Sequence, residues 1–187
     1  MVSLDQLAQK IQQCTACPLY KNTHHAVPGS GSPKAKVFFI GEAPGRNEDL
    51  QGEPFVGAAG KFLNALLESI GLQREDVFIT SVLKHRPPEN RDPKPNEIAT
   101  CSPYLIQQLQ IIKPKIIVLL GRHAMNLFFP GLSISKVHGQ AQYAKASWSS
   151  KEQLFLPLYH PAAALYNPNT KKEHFADFTK IAELLKN

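Results

Sequence analysis

Cys14 and Cys17 stand in a C-x2-C pattern, a bite that suits zinc or an iron–sulfur cluster. A third cysteine, Cys101, lies far along the chain, and a closed site needs a fourth donor. His85, sixteen residues before Cys101, can fill that place. The alternative is two exposed thiols, one core thiol and a loop histidine. Other groups with chemical capacity follow in turn. Gly41-Glu-Ala-Pro-Gly45 is a tight turn whose backbone N–H groups can face a ligand. It matches neither G-x-x-x-x-G-K-S/T nor G-x-G-x-x-G, which disfavours a nucleotide cofactor. Glu48 and Asp49 follow as carboxylates, either solvated or functional. Phe55 reads as core or as an aromatic platform for a nucleobase. His160 stands between an apolar run and Pro161, as a structural or a reactive imidazole. Lys84, Arg86 and Arg91 share a stiff loop with Pro87, Pro88 and Pro93. That loop is either solvated or in contact with phosphates. His24, His25, His123, His138 and His174 read as surface or capping residues.

The elements that must position these groups are legible from periodicity. Leu4, Leu7, Ala8 and Ile11 have helical spacing behind a Ser3 cap. Apolar runs at 36–40, 77–82, 115–120 and 153–158 predict four buried strands, the last at a sheet edge because of Pro157. Helical faces are predicted over 58–70, 97–112, 121–129 and 173–185, the second disturbed near Pro103. Strands alternating with helices predict a parallel sheet covered on both faces. Such sheets place sites at the carboxyl ends of their strands. The Gly41 turn, the Lys84–Arg91 loop and His160 all fall there.

Composition narrows the class. The 187 residues, 43% hydrophobic and 19% charged, suffice for one well-packed domain. The 21 Lys and Arg against 15 Asp and Glu give a net +6, compatible with a polyanion partner without demanding one. No apolar run is long enough for a membrane span. The opening MVSLDQLAQK lacks an apolar signal core, so a cytoplasmic location is expected. An odd cysteine count in a reducing compartment argues against a disulfide framework.

Read together, GEAPGRNEDLQGEPFVGAAG, KHRPPENRDP and LYHPAAAL, with C-x2-C ahead of them, resemble the family 4 uracil-DNA glycosylases. These are the iron–sulfur members of the uracil-DNA glycosylase superfamily. The resemblance runs from Cys14 to the final helix. It implies a single domain over 1–187, a three-layer α/β/α sandwich around a four-stranded parallel sheet. It implies a DNA repair enzyme that flips uracil from the stack and hydrolyses its N-glycosidic bond. By similarity, His160 donates to uracil O2 as negative charge develops. The backbone around Glu42 and Ala43 binds base and water, and Phe55 stacks on the base. Glu48 walls the pocket against the thymine methyl, which leaves His160, Glu42 and Glu48 as catalytic candidates. The segment Pro161–Leu165 resembles a minor-groove wedge, with Leu165 its largest side chain. Cys14, Cys17, His85 and Cys101 would hold a [4Fe–4S] cluster. The expected partner is DNA containing uracil or another deaminated base, the expected state a monomer.

The sequence departs from the family pattern in three places. Ser81 stands where an asparagine reads the uracil edge, which opens the alternative of a glycosylase for hypoxanthine or xanthine. His85 replaces a cysteine ligand, so zinc is a competitor for a Cys3His set, with the cluster favoured by the family pattern. Ala43 stands where the most active superfamily members carry a catalytic aspartate, which family 4 also lacks. A catalytically weak uracil- or DNA-binding module that retains the cluster is the reading from a different class.

Overall fold

A computed structural model describes residues 2–186. In chain order its elements are α1 Leu4–Gln12, β1 Ser30–Gly31, β2 Val37–Gly41, α2 Arg46–Gln51, α3 Ala58–Ser69, β3 Phe78–Ser81 and α4 Pro95–Ile112. They continue with β4 Ile116–Leu120, α5 Arg122–Phe128, α6 Ile134–Val137, β5 Gln142–Lys145, β6 Glu152–Leu158, α7 Ala163–Tyr166 and α8 Lys171–Lys186. β2 and β4 are buried at every position, as continuous apolar runs covered on both faces must be. They lie at the centre of one sheet ordered β1-β3-β2-β4-β6-β5. β3, β2, β4 and β6 are mutually parallel. This is the expected four-stranded parallel core.

Two short strands extend it. β1 and β5 pair antiparallel at opposite edges, so the full sheet has six strands. β6 is therefore not an edge strand, contrary to the expectation drawn from Pro157. β5 pairs only with Glu152–Phe155, so Pro157 lies beyond that ladder and its missing N–H costs it nothing there. The helix predicted to be disturbed at Pro103 runs unbroken from Pro95 to Ile112. Pro103 and Ala99 both face outward, so the carbonyl orphaned by the proline reaches water.

The side chains divide by strand alternation. Phe38, Ile40, Ile117, Leu119 and Phe155 point to the face covered by Leu105 and Leu109 of α4 and Met125 of α5. Phe39, Ile79, Val118 and Leu156 point to the other, covered by Leu63, Leu66 and Leu67 of α3 and Phe178 and Ile181 of α8. Burying each such leucine contributes about 1.5–3 kcal/mol. α1, capped at Ser3 by a reciprocal box with Gln6, lays Leu7 and Ile11 beside Tyr104 and Ile111 on the outside of α4. This packing brings the Cys14 end of α1 toward the Cys101 turn of α4. Among the described residues no helix is long and apolar enough to cross a membrane.

Candidate active site

The loops after β2, β3 and β6 enclose a cavity of about 330 Å³ at the carboxyl ends of the strands. Glu42, Ala43, Gly45, Glu48, Phe55, Ala59, Ser81, Asn90, His160 and Ala162 line it. The fold thus gathers every candidate base-binding and catalytic residue except Leu165 around one pocket. A larger cavity of about 440 Å³, around Lys113, Trp148 and Lys151, opens near the amino ends of β4 and β6, away from these groups.

Phe55 is held in place at a backbone cost. Its φ of 53° is left-handed, unusual for a bulky residue and a mark of functional strain. Two side chains, Arg74 and Glu48, hold that conformation. Arg74 donates from Nη1 to the Phe55 carbonyl at 3.1 Å and from Nη2 to the Pro54 carbonyl at 2.6 Å. The Glu48 carboxylate accepts the N–H groups of Val56 at 2.9 Å, Gly57 at 3.1 Å and Gly45 at 3.1 Å. Glu48 thereby ties the Gly41–Gly45 turn to the Phe55 segment. Two glycines make room. A Cβ on Gly41 would lie 2.8 Å from the Phe55 ring, and one on Gly60 would lie 1.7 Å from its carbonyl oxygen.

His160 is neutral and its proton is placed. The Ala162 N–H donates to His160 Nδ1 at 3.2 Å, which leaves the ring proton on Nε2. Burial, with His174 nearby, pushes the imidazole down to about 4, against a smaller opposing pull from Glu48. Phe55 faces the ring at 5.5 Å between centroids. Behind it His174, expected at the surface, is buried, with Nδ1 2.7 Å from the Thr170 carbonyl and Nε2 3.2 Å from the His160 carbonyl.

The loop after β3 corrects one expectation. Lys84 is fully buried and cannot contact phosphate. Its ammonium donates to Thr80 Oγ1, to the Ser81 carbonyl at 2.9 Å and to Gln108 Oε1 at 2.9 Å. Burial pushes it down to about 8. The sequence signal was misread because a lysine beside arginines in a proline-rich loop looks like a basic patch, whereas this one fastens the end of β3. Arg91 is likewise engaged, with Glu97 at 2.6 Å. Arg86 Nε donates to Asn90 Oδ1 at 2.7 Å.

Glu42 continues from β2, where its carbonyl accepts the Leu83 N–H at 3.1 Å. Burial raises its carboxyl above the usual range; His123 and Arg122 pull it down and Asp92 pushes it up. His123, expected to have no role, sits with Nε2 3.7 Å from Glu42 Oε2 and 3.3 Å from Asp92 Oδ1.

The candidate metal ligands lie behind this pocket. Cys14 and His85 line a separate cavity of about 600 Å³, together with His24, His25 and Gln51. The buried Cys101 thiol is pushed up by burial, with Cys17 and Cys14 close enough to add to that effect against the pull of Lys84. Tyr104 on α4 is pushed up to about 12, first by Cys14 and then by burial, with Cys101 contributing. Burial lowers the buried imidazole of His85, and Asp49 opposes that. Burial opposes ionisation of Asp49 too, yet the His24 ring and the N–H groups of His24 and His25 hold its carboxyl below the usual range. All three cysteines are free thiols.

The family model for the uracil DNA glycosylase superfamily matches residues 28–185. A type-4 uracil-DNA glycosylase of Archaeoglobus fulgidus is 50% identical over 189 residues, covering 98% of this chain and 94% of the relative. One from Sulfurisphaera tokodaii is 51% identical over 190 residues, covering 98% and 86%. The chain belongs to the uracil-DNA glycosylase superfamily. Its relatives of the type-4 branch extend to Thermotoga maritima, at 41% identity over 88% of this chain.

Several lining residues of this superfamily member escaped sequence reasoning. Asn90 carries a φ of 54° at the pocket rim, and only its place in the loop after β3 pointed to it. Leu165 is 45% exposed on α7, and Tyr166 beside it is 89% exposed.

Proposed function

We propose that this chain excises uracil from DNA by hydrolysing the bond between uracil N1 and deoxyribose C1′. One observation carries the reading: a neutral His160 with its Nε2 proton fixed, on the same cavity as the Glu42 carboxylate. The flipped base enters between the Phe55 ring and the strand ends. As the N1–C1′ bond breaks, the bonding electrons move onto uracil, and His160 Nε2–H donates to O2 where that charge collects. Glu42 takes a proton from the water whose oxygen bonds to C1′. Glu48, engaged by three backbone N–H groups, serves as a brace and pocket wall and transfers no proton. Ala43 contributes backbone alone. Leu165 and Tyr166 fill the space the base vacates. Arg46, Lys171 and Lys172 are exposed cations suited to phosphate.

Cys14, Cys17, His85 and Cys101 fit an iron–sulfur cluster of the [4Fe–4S] type. The electrostatic influence of Cys14 and Cys17 on Cys101 supports their convergence, and the family pattern favours the cluster over zinc. When bound, the cluster would tie the end of α1, the loop after β3 and α4 together. Residues 1–187 act as one catalytic unit and as a monomer, and a reducing cytoplasm suits three cysteines that form no disulfide.

Ser81 favours a second reading, action on hypoxanthine or xanthine, because one rotating hydroxyl reads a base edge less strictly than an amide. Base release from duplexes carrying uracil, hypoxanthine or xanthine tests both. Uracil release by wild type, with preference for uracil strengthened in Ser81→Asn, is expected. Release of hypoxanthine or xanthine faster than uracil supports the second reading. DNA binding with no release of any base overturns both.

A further inference from the structure

The mouth of the pocket carries a charged group that the excision chemistry above leaves unused. His123 and Arg122 stand at the start of α5, directly after β4, and Asp92 faces them from the loop after β3. Arg122 donates to Asp92 Oδ2 at 2.6 Å and from Nε toward His123 Nε2 at 3.1 Å. His123 Nε2 also lies 3.3 Å from Asp92 Oδ1 and 3.7 Å from Glu42 Oε2. Ligand atoms of Glu42, Asp92 and His123 fall within 4.8 Å of one another, a cation-holding arrangement. Arg122 already supplies a cation there. The arrangement therefore fits a charge relay better than a metal site.

We propose that His123 is a positioning residue that, with Asp92 and Arg122, sets the charge and aim of the Glu42 carboxylate toward the attacking water. The proposal rests on the reading of Glu42 as the base. The groups facing Glu42 are complete on three sides: His123 and Arg122 on α5, Asp92 on the loop, and Glu48, Asn90 and His160 across the cavity. A half-buried carboxylate near the strand ends loses hydration, which favours its protonated form. His123, with Nε2 3.7 Å from Glu42 Oε2, and the Arg122 guanidinium beside it both pull Glu42 back toward the anion. Asp92 acts in the opposite sense on Glu42 while it anchors both cations. The arrangement makes a signed prediction. Removing His123 makes Glu42 harder to ionise; removing the Asp92 charge makes it easier.

The test is single-turnover uracil release against pH, with enzyme in excess over a uracil duplex at constant ionic strength. Wild type should show an acid limb set by Glu42. His123→Gln should move that limb up by about one pH unit, a roughly tenfold loss of rate on the acid side, with the plateau nearly kept. His123→Lys, which retains a cation, should hold the limb near its wild-type position. Asp92→Asn should move it down. Opposite movements in His123→Gln and Asp92→Asn support the proposal. Lower plateaus with an unmoved limb show a merely structural role and overturn it. His123→Asn gives the same reading should the glutamine variant misfold. Glu42→Gln separates the two levels: if it keeps both rate and limb, the base assignment falls and the proposal with it. If it abolishes them while His123→Gln moves nothing, only the proposal falls.

Discussion

Replacing His160 by alanine should slow base release by on the order of a hundred- to a thousandfold while DNA affinity barely changes. The magnitude follows from how the ring is held. Its Nδ1 accepts the Ala162 N–H at 3.2 Å, so a single donor, Nε2–H, is available to the pocket. The imidazole is pushed from its ordinary 6.5 to about 4, a bias toward the neutral form of about 3 kcal/mol. A neutral donor gains most as charge arrives on uracil, so the loss falls on the chemical step. The same shift fixes the pH behaviour. The unfolded chain takes up this proton near 6.5 and the folded chain only near 4, so the fold loses stability as pH drops through that window. At pH 5–8 the ring itself should not titrate, and any acid limb belongs to Glu42 and persists, lowered, in His160→Ala. Single-turnover release across pH, beside equilibrium DNA binding, makes the measurement. A wild-type limb near 6.5 that vanishes in His160→Ala would refute the reasoning, as would an unchanged rate.

Three further outcomes can be checked. Freshly purified protein should be brown and absorb near about 400 nm, and His85→Cys should keep that absorption because thiolate is the usual cluster ligand. Loss of iron in His85→Cys but not in wild type would remove His85 from the ligand set. Gly60→Ala should destabilise the fold by at least about 1–3 kcal/mol in urea or thermal unfolding, because its Cβ would meet the Phe55 carbonyl at 1.7 Å. Leu165→Ala should leave stability unchanged, since the side chain is 45% exposed, and raise the enzyme concentration for half-maximal single-turnover release several-fold.

The parallel core was legible because VFFIG and IIVLL are apolar without interruption, and only strands covered on both faces tolerate that. β5 was not, because its alternating exposure follows no apolar run and its pairing depends on a neighbour already in place. Pro157 misled for a related reason: whether a missing N–H matters depends on where the partner strand stops. At the site, residue type singled out the cysteines as candidate ligands and left His160 and Glu48 open, and the family resemblance gave those two their expected roles. It failed for His123, His174 and Lys84, whose meaning lies in long-range contacts. Lys84 is the sharpest instance. Its charge reads as surface in the sequence, and Thr80 Oγ1, the turned-back Ser81 carbonyl and Gln108, brought by α4, allow it to be buried.

Those buried contacts connect the candidate ligands to the pocket. Loops at strand ends have no sheet to hold them, yet catalysis by fixed donors demands that they hold still. α2 spans the gap. Glu48 reaches the Val56, Gly57 and Gly45 N–H groups on the pocket side, while the next residue, Asp49, accepts the His24 and His25 N–H groups beside the Cys14–His85 cavity. Lys84 makes the second link, joining the Ser81 carbonyl to α4 immediately before His85. Stiffness that a cluster would add at Cys14, Cys17, His85 and Cys101 would therefore reach Phe55 through α2 and Ser81 through Lys84. The cost of losing it should appear in the rate of base release, ahead of any change in affinity for DNA.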